Sequence, residues 1–436
     1  MKLKKLFCLL LAVIFLFSFA GCSPLESSLD DLVTAPKLEG DMSPVQQALE
    51  ESAGTEITLK YPTTGDYRSA FILKDLNGDA RREAVALYSL TSDGAVSVHI
   101  NLITYNGEIW SSVGDLSLVG NGVESVSFAD LDGDNTLEII VGWTIFGTVE
   151  KQVGVYTYDG KTLLQRAIEP YTNLICTDMT SDGIEDMVVV HLNSSEKTAS
   201  AKVFSLSNSG ITEVGKVTLD GGVSSYSSVV AATLSDATPA IYIDAVKGTG
   251  MITEVIWFGD GKLHGIFNPE LPETSLTYRT GAVSSRDYNN NGIIDIPLSE
   301  VLISTKDLNE AEKVYFTNWS EFDGEKFTLT ASTFMNYSDG YSITVPADWK
   351  EKILLIRRTE ARMRFFYSYD KETGRAGDEM FRIVAVPATE VKNSTYSDEG
   401  YFSIGESKTL IYLAKVTPDN VLGVTKEDII NIFSVI

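Results

Sequence analysis

The sequence predicts a mainly β protein made of repeated four-stranded units, followed by a smaller α+β segment. Three observations carry this. An acidic nonapeptide recurs through the middle of the 436-residue chain. Each copy lies between two short β-prone runs. Each unit then continues through a third strand, an aromatic-plus-Asn/Asp-Gly hairpin turn and a fourth strand. Four short strands with tight links in about 50 residues make a blade, and blades set around an axis leave only short, protected edges. The predicted architecture is a β-propeller of five four-stranded blades, with six or seven as the alternative, and then a small α+β domain.

The N-terminus is set apart from the fold. Lys2, Lys4 and Lys5 precede the apolar run "LFCLLLAVIFLFSFAG", which is short for a membrane span and ends in small residues, as a secretory signal does. The junction "FAGC" resembles a bacterial lipobox, which implies a signal over residues 1–21 and lipid on Cys22. An ordinary signal cleaved near Gly21 is the alternative. Residues 22–55, with "SPLESSLDDL", read as a tether and N-terminal segment. Cys176 stands alone in "TNLICTD", so no disulfide framework exists and a small core residue is expected there.

The formal charge is −25, and −28 once the three signal lysines are removed. Residues 339–436 hold 13 Lys/Arg and 15 Asp/Glu, so nearly all the excess lies before them. Such a field disfavours nucleic acid and anionic surfaces and favours cations or basic partners.

The propeller is predicted over residues 56–338. Its acidic copies are "DLNGDARRE" from Asp75, "DLDGDNTLE" from Asp130, "DMTSDGIED" from Asp178 and "DYNNNGIID" from Asp287. The gap between the last two is about twice the others. A fifth, degenerate copy stands where it should, "ATLSDATPA" from Ala232, with the strand context kept and only Asp236 left of the acids. The strand "EITLKYP", Glu56 to Pro62, is expected to pair into the last blade and close the ring. Pro297, in the strand after the last acidic copy, implies a bulge or an edge there.

Oxygen side chains at positions 1, 3, 5 and 9, with a carbonyl at position 7, suit a hard cation that takes six to eight oxygens. An EF-hand is excluded, because position twelve is Ala86 or Val141, inside a predicted strand. The loop-then-strand order resembles the FG-GAP or VCBS-type repeat of the integrin α-chain propeller. The resemblance covers roughly residues 65–336 and implies structural Ca²⁺. Its ligands would be Asp75, Asn77, Asp79 and Glu83; Asp130, Asp132, Asp134 and Glu138; Asp178, Thr180, Asp182 and Asp186; and Asp287, Asn289, Asn291 and Asp295. The second loop carries four carboxylates, the first and third three each, and the fourth two, and affinity should follow that order.

Catalysis is not expected. Glycosidases use opposed carboxylates on separate elements, whereas these acids cluster within single loops. His99, His191 and His264 are scattered, and no nucleophile elbow, P-loop or dinucleotide fingerprint is present. The five tryptophans are read chiefly as blade-core packing.

Residues 339–436 read as the α+β domain. "GYSITVPADWK" resembles the start of PsbP-like domains. Arg357, Arg358, Arg362 and Arg364 read as the solvent face of a strand pair, with contact to an anionic ligand as the alternative. Together these features predict an exported binding or scaffold protein. It would be anchored to the outer face of a bacterial cell membrane through Cys22 and would engage a protein or glycan partner. The alternative is a carbohydrate-binding or carbohydrate-active propeller.

Overall fold

The computed structural model describes residues 42–54, 56–92, 94–145, 151–207, 210–272, 275–310, 312–358, 361–390, 396 and 399–436. The signal segment, Cys22 and the tether through residue 41 lie outside them. Among the described residues no helix is long and apolar enough to cross a membrane. The chain divides into two units, residues 1–74 with 81–125 and residues 75–80 with 126–436.

The first unit opens with a helix absent from the sequence reading, α1 (Ser43–Ala53). Pro44 sits at its start and Gly54 (φ 88°) just past its end, the usual asymmetry of helix termini. Val45, Ala48 and Leu49 form its buried stripe and pack on Phe71, Ala86 and Tyr88 of the sheet beside it. That sheet contains β1 (Thr58–Leu59), β2 (Phe71–Lys74), β3 (Glu83–Ser92), β4 (Ala95–Tyr105) and β5 (Trp110–Val119). The ring-closing role expected of Glu56 to Pro62 is not what the structure has. Its β1 instead pairs Thr58 with Ser89 and Leu59 with Tyr88. The reason is length: β2 covers only Glu83–Ala86 of the ten-residue β3, and β1 takes the remaining edge.

In the second unit the strands follow the repeat. They are β6 (Gly122–Ala129), β7 (Glu138–Thr144), β8 (Lys151–Tyr158) and β9 (Leu163–Tyr171), then β10 (Asn173–Thr177), β11 (Asp186–Asn193), β12 (Thr198–Ser207) and β13 (Gly210–Leu219). The next sheet is β14 (Ser225–Thr233), β15 (Pro239–Lys247), β16 (Gly250–Gly259) and β17 (Lys262–Gly265). Spatial order equals chain order in all three, as in propeller blades. The second strand of each carries a continuous apolar run because both its faces are covered. In β11, Met187 and Val189 face Ile140 and Val155 of one neighbouring sheet. Val188 and Val190 face Ile241 and Ile243 of the other. A period of two therefore feeds two cores at once, and each such side chain contributes about 1.5–3 kcal/mol of burial.

The hairpin turns work as the Asn/Asp-Gly pattern predicts. Asn106 Oδ1 accepts the amides of Glu108 and Ile109, Asp159 Oδ1 those of Lys161 and Thr162, and Asp323 Oδ1 those of Glu325 and Lys326. Gly107, Gly160 and Gly324 supply the positive φ.

The last repeat departs from the pattern. The expected first strand, Gly281 to Ser285, is replaced by a single bridge between Arg286 and Asp295. The sheet starts instead at β18 (Ile296–Val301), followed by β19 (Tyr315–Phe322), β20 (Phe327–Asn336) and β21 (Tyr341–Thr344). Pro297 therefore lies on an edge strand, where its missing N–H breaks no ladder. A sixth sheet comprises β22 (Ile353–Arg358), β23 (Met363–Asp370), β24 (Arg375–Pro387), β25 (Phe402–Glu406) and β26 (Leu410–Val416). Helix α2 (Lys426–Ile432) follows, fixed by a Thr425/Asp428 capping box. The C-terminal β27 (Phe433–Val435) then returns to pair with β21. One core joins these last two sheets, with Phe316, Phe334 and Ile343 against Leu355, Phe366 and Phe381.

Candidate metal-binding loops

The acidic nonapeptides form one kind of turn four times over. Positions 4 and 6 are left-handed in every copy: Gly78 and Ala80, Gly133 and Asn135, Ser181 and Gly183, Asn290 and Gly292. Each copy places glycine at one of the two and a less tolerant residue at the other, and the first-position aspartate accepts amides of the same turn in every copy. Asp75 accepts from the amides of Gly78 (2.8 Å) and Ala80 (2.9 Å). Asp130 does the same with Gly133 (2.7 Å) and Asn135 (3.0 Å). Asp178 takes Asp182 and Gly183, and Asp287 takes Asn291 and Gly292.

Position 9 is the buried end. Glu83, Glu138, Asp186 and Asp295 each open or immediately precede a strand, and all are buried. Glu138 accepts the amide of Leu131 (2.8 Å), Asp186 that of Met179 (3.0 Å) and Asp295 that of Tyr288 (2.9 Å), always from position 2. The loops also touch in sequence. Leu137 donates its amide to the Leu76 carbonyl (2.7 Å), and a Cβ on Gly133 would meet Ile184 at 2.8 Å.

The second loop differs from the rest. Carboxylate oxygens of Asp130, Asp132 and Glu138 lie within 4.8 Å of one another, a grouping found among the described residues only here. Burial, together with Asp132, Asp134 and Asp130, pushes the Glu138 carboxyl up to about 7, against a single opposing bond from Leu131. Burial and Asp134 also raise Asp132. Asp134 itself is turned aside, accepting the amide (2.8 Å) and hydroxyl of Thr136.

The other loops spend their oxygens on protein donors. Asp186 receives the Met179 and Thr180 amides, the Thr180 hydroxyl (3.0 Å) and the Ser205 hydroxyl. In the fourth loop Asn289 and Asn291 donate to Glu321, an acid from β19 that the repeat pattern does not reveal, while Thr330 donates to Asp295. In the first loop Asp79 donates its amide to Asn77 Oδ1 (3.1 Å).

Residues 50–141 match the FG-GAP-like repeat. That span holds the first two acidic loops. No curated protein matches the chain by sequence. Among solved structures it is similar to Bacillus licheniformis rhamnogalacturonan lyase PL11, with 11% identity over 74% of this chain and 77% of that one and a TM-score of 0.30. It is similar also to the exotype rhamnogalacturonan lyase YesX, at 12% identity, 74% and 83% coverage and a TM-score of 0.30. The Pseudomonas aeruginosa periplasmic gluconolactonase PpgL is a third, at 11%, 74% and 87%, and 0.25.

Outside the acidic loops several side chains named as candidates have packing roles. Trp143, Trp319 and Trp349 are buried, and Trp143 donates to the Tyr156 hydroxyl (3.0 Å). Cys176 lies against the β10–β11 core, where burial pushes its thiol up to about 12. His264 stacks on Trp257. His99 forms a chain that strand spacing alone conceals. Its Nε2 is 2.8 Å from Ser97 Oγ, and its Nδ1 is 2.8 Å from Asp115 Oδ1. Burial would raise Asp115, but bonds from His99, Tyr88 and Asn101 bring it below its ordinary value. The chain resembles a hydrolase triad in connectivity. Ser97 sits within the sheet, paired with Leu90 on one side and Val119 on the other.

Proposed function

We propose that this is an exported, lipid-anchored binding or scaffold protein. Its repeat-bearing sheets are five propeller blades, and its FG-GAP-like loops hold calcium, the second loop foremost. One observation carries the metal reading: the oxygens of Asp130, Asp132 and Glu138 lie within 4.8 Å of one another. Two ligands of one calcium, each 2.3–2.6 Å from it, lie at most about 5 Å apart. The donor set is all oxygen, as a hard cation requires, and each carboxylate keeps lone pairs beyond those used on backbone amides. Asp130, Asp132 and Glu138 would hold the ion, which would neutralise acids that otherwise repel one another. The remaining loops follow with weaker sites, because protein donors already occupy more of their oxygens. The acids thus have a structural role, which favours a non-enzymatic protein that presents blade surfaces to a protein or glycan partner.

Calorimetric titration of calcium into EDTA-stripped full-length protein in detergent tests the metal. One site tighter than the rest is expected, abolished in Asp130→Asn/Asp132→Asn. No heat from the parent protein would remove the calcium reading. Cys22→Ala should abolish incorporation of labelled palmitate and membrane retention; unchanged labelling would remove the anchor.

A further inference from the structure

Of the four arginines around the β22–β23 pair, Arg364 does not lie on a solvent face; the side chains of Arg357 and Arg358 lie outside the described residues. Arg364 is 4% exposed and points back against the β20–β21 turn. Its Nη1 donates to the Met363 carbonyl (2.9 Å), and its Nη2 lies 3.2 Å from Asn336 Oδ1, 3.3 Å from Ser338 Oγ and 3.4 Å from Asp339 Oδ2. Its Nε, also buried, has no hydrogen-bond partner. Arg364 lines a cavity of about 290 Å³ that is also lined by Arg279. Arg279 is 2% exposed and pairs with Asp244 (2.9 Å), while its Nε and Nη1 donate to the carbonyls of Val283 and Thr277. That leaves one hydrogen on each terminal nitrogen.

We infer that this cavity binds a small hydroxylated carboxylate, of the sugar-acid class. Two guanidiniums lining one small cavity are the arrangement that suits a planar oxyanion. The acids present do not cancel the positive charge. Asp244 balances Arg279, and the single Asp339 serves both Arg364 and Arg362 (3.9 Å), so three arginines meet two carboxylates. A locally positive cavity in a chain of formal charge −25 selects anions against the field of its surroundings. The remaining polar lining includes the Thr317 and Tyr337 hydroxyls, which both donate and accept, matching hydroxyls on the ligand. The volume lies at the lower end of ligand cavities, which suits a small molecule.

The test is calorimetric titration of the full-length protein in detergent with D-glucuronate, with D-glucose and inorganic phosphate as the other arms. Saturable one-to-one binding of glucuronate is expected, with glucose and phosphate at least about tenfold weaker. Arg364→Lys keeps a cation for Asp339 but loses the guanidinium fork, and should weaken glucuronate by at least about tenfold. Tyr337→Phe, at a side chain 50% exposed, should weaken it about fivefold without moving the melting temperature, and it carries the test if Arg364→Lys unfolds. The inference is overturned by no saturable binding up to about 10 mM, by equal affinity for glucose, by phosphate binding alone, or by an unchanged Kd in both variants. EDTA should leave the glucuronate Kd unchanged, so loss of the calcium reading leaves this site standing.

Discussion

Replacing Asp132 by asparagine should change the sign of its effect on stability when calcium is added. Asparagine keeps the Oδ1 that accepts the Asp134 amide (3.3 Å), so the turn survives while one charge disappears. Without calcium that charge sits within 4.8 Å of carboxylate oxygens on Asp130 and Glu138. Two unit charges at that distance repel by about 1 kcal/mol in water and about 3.5 kcal/mol at an effective dielectric of 20. Asp132 is half-buried and Glu138 is partly protonated, so relief of about 1 kcal/mol is expected and the variant should melt slightly above the parent in EDTA. With calcium at about 100 times its Kd the parent gains about 2.7 kcal/mol, most of which the variant forgoes. A shift of about 2 °C per kcal/mol, the lower end for large domains, puts the variant about 2 °C above the parent in EDTA and about 3–4 °C below it in calcium. Thermal melts by circular dichroism in EDTA, calcium and magnesium would measure both. A variant that melts below the parent in EDTA as well would mean that Asp132 builds the turn and does not cage an ion.

Three further outcomes are expected. Burial pushes Glu254 up to about 8 from 4.5, with the Asp220 amide and Lys247 opposing, so the native state binds the extra proton between those values. Its contribution is therefore complete below about pH 4.5 and is lost as pH rises toward 8, on the order of 2–4 kcal/mol, and Glu254→Gln should flatten that slope in urea titrations across pH. Asp244→Ala leaves Arg279 buried without its partner and should cost about 3–5 kcal/mol in the same assay, whereas Asp244→Leu/Arg279→Met should recover most of it. Ser97 should not react with a fluorophosphonate probe, and labelling at Ser97 that His99→Ala abolishes would establish a hydrolase.

How much was legible in the sequence depended on whether a feature repeats. The blade strands were readable because β7, β11 and β15 each bury both faces, which forces a continuous apolar run after each acidic loop. The edge position of Pro297 was readable from its missing donor alone. What escaped were features that occur once. Helix α1 has weak amphipathicity and a three-residue stripe. The pairing of β1 depends on how short β2 is, and Glu321 reaches the fourth loop from a strand 30 residues further on. The burial of Arg364 depends on Asn336 and Asp339 across a turn, and no alternation within β23 encodes it.

The degenerate copy separates the turn from the acids at its first and ninth positions. Around Asp236 the first- and ninth-position acids are gone, yet Ala237 still adopts φ 71° at position 6. The turn is closed by two backbone bonds, Leu234 N–H to the Thr238 carbonyl (2.8 Å) and Ala237 N–H to the Leu234 carbonyl (2.9 Å), and by the Asp236 carboxylate accepting the Thr238 amide. A further amide, that of Ser235, donates to the Phe322 carbonyl of the neighbouring sheet (3.0 Å). Strand context therefore sets a tight turn at this point of a blade without the first- and ninth-position carboxylates. Three carboxylates gathered within 4.8 Å, one of them buried, cost electrostatic energy that the turn does not require. The proposed cation would offset that cost in the second loop, whereas the turn of the fourth sheet forms without the first- and ninth-position acids.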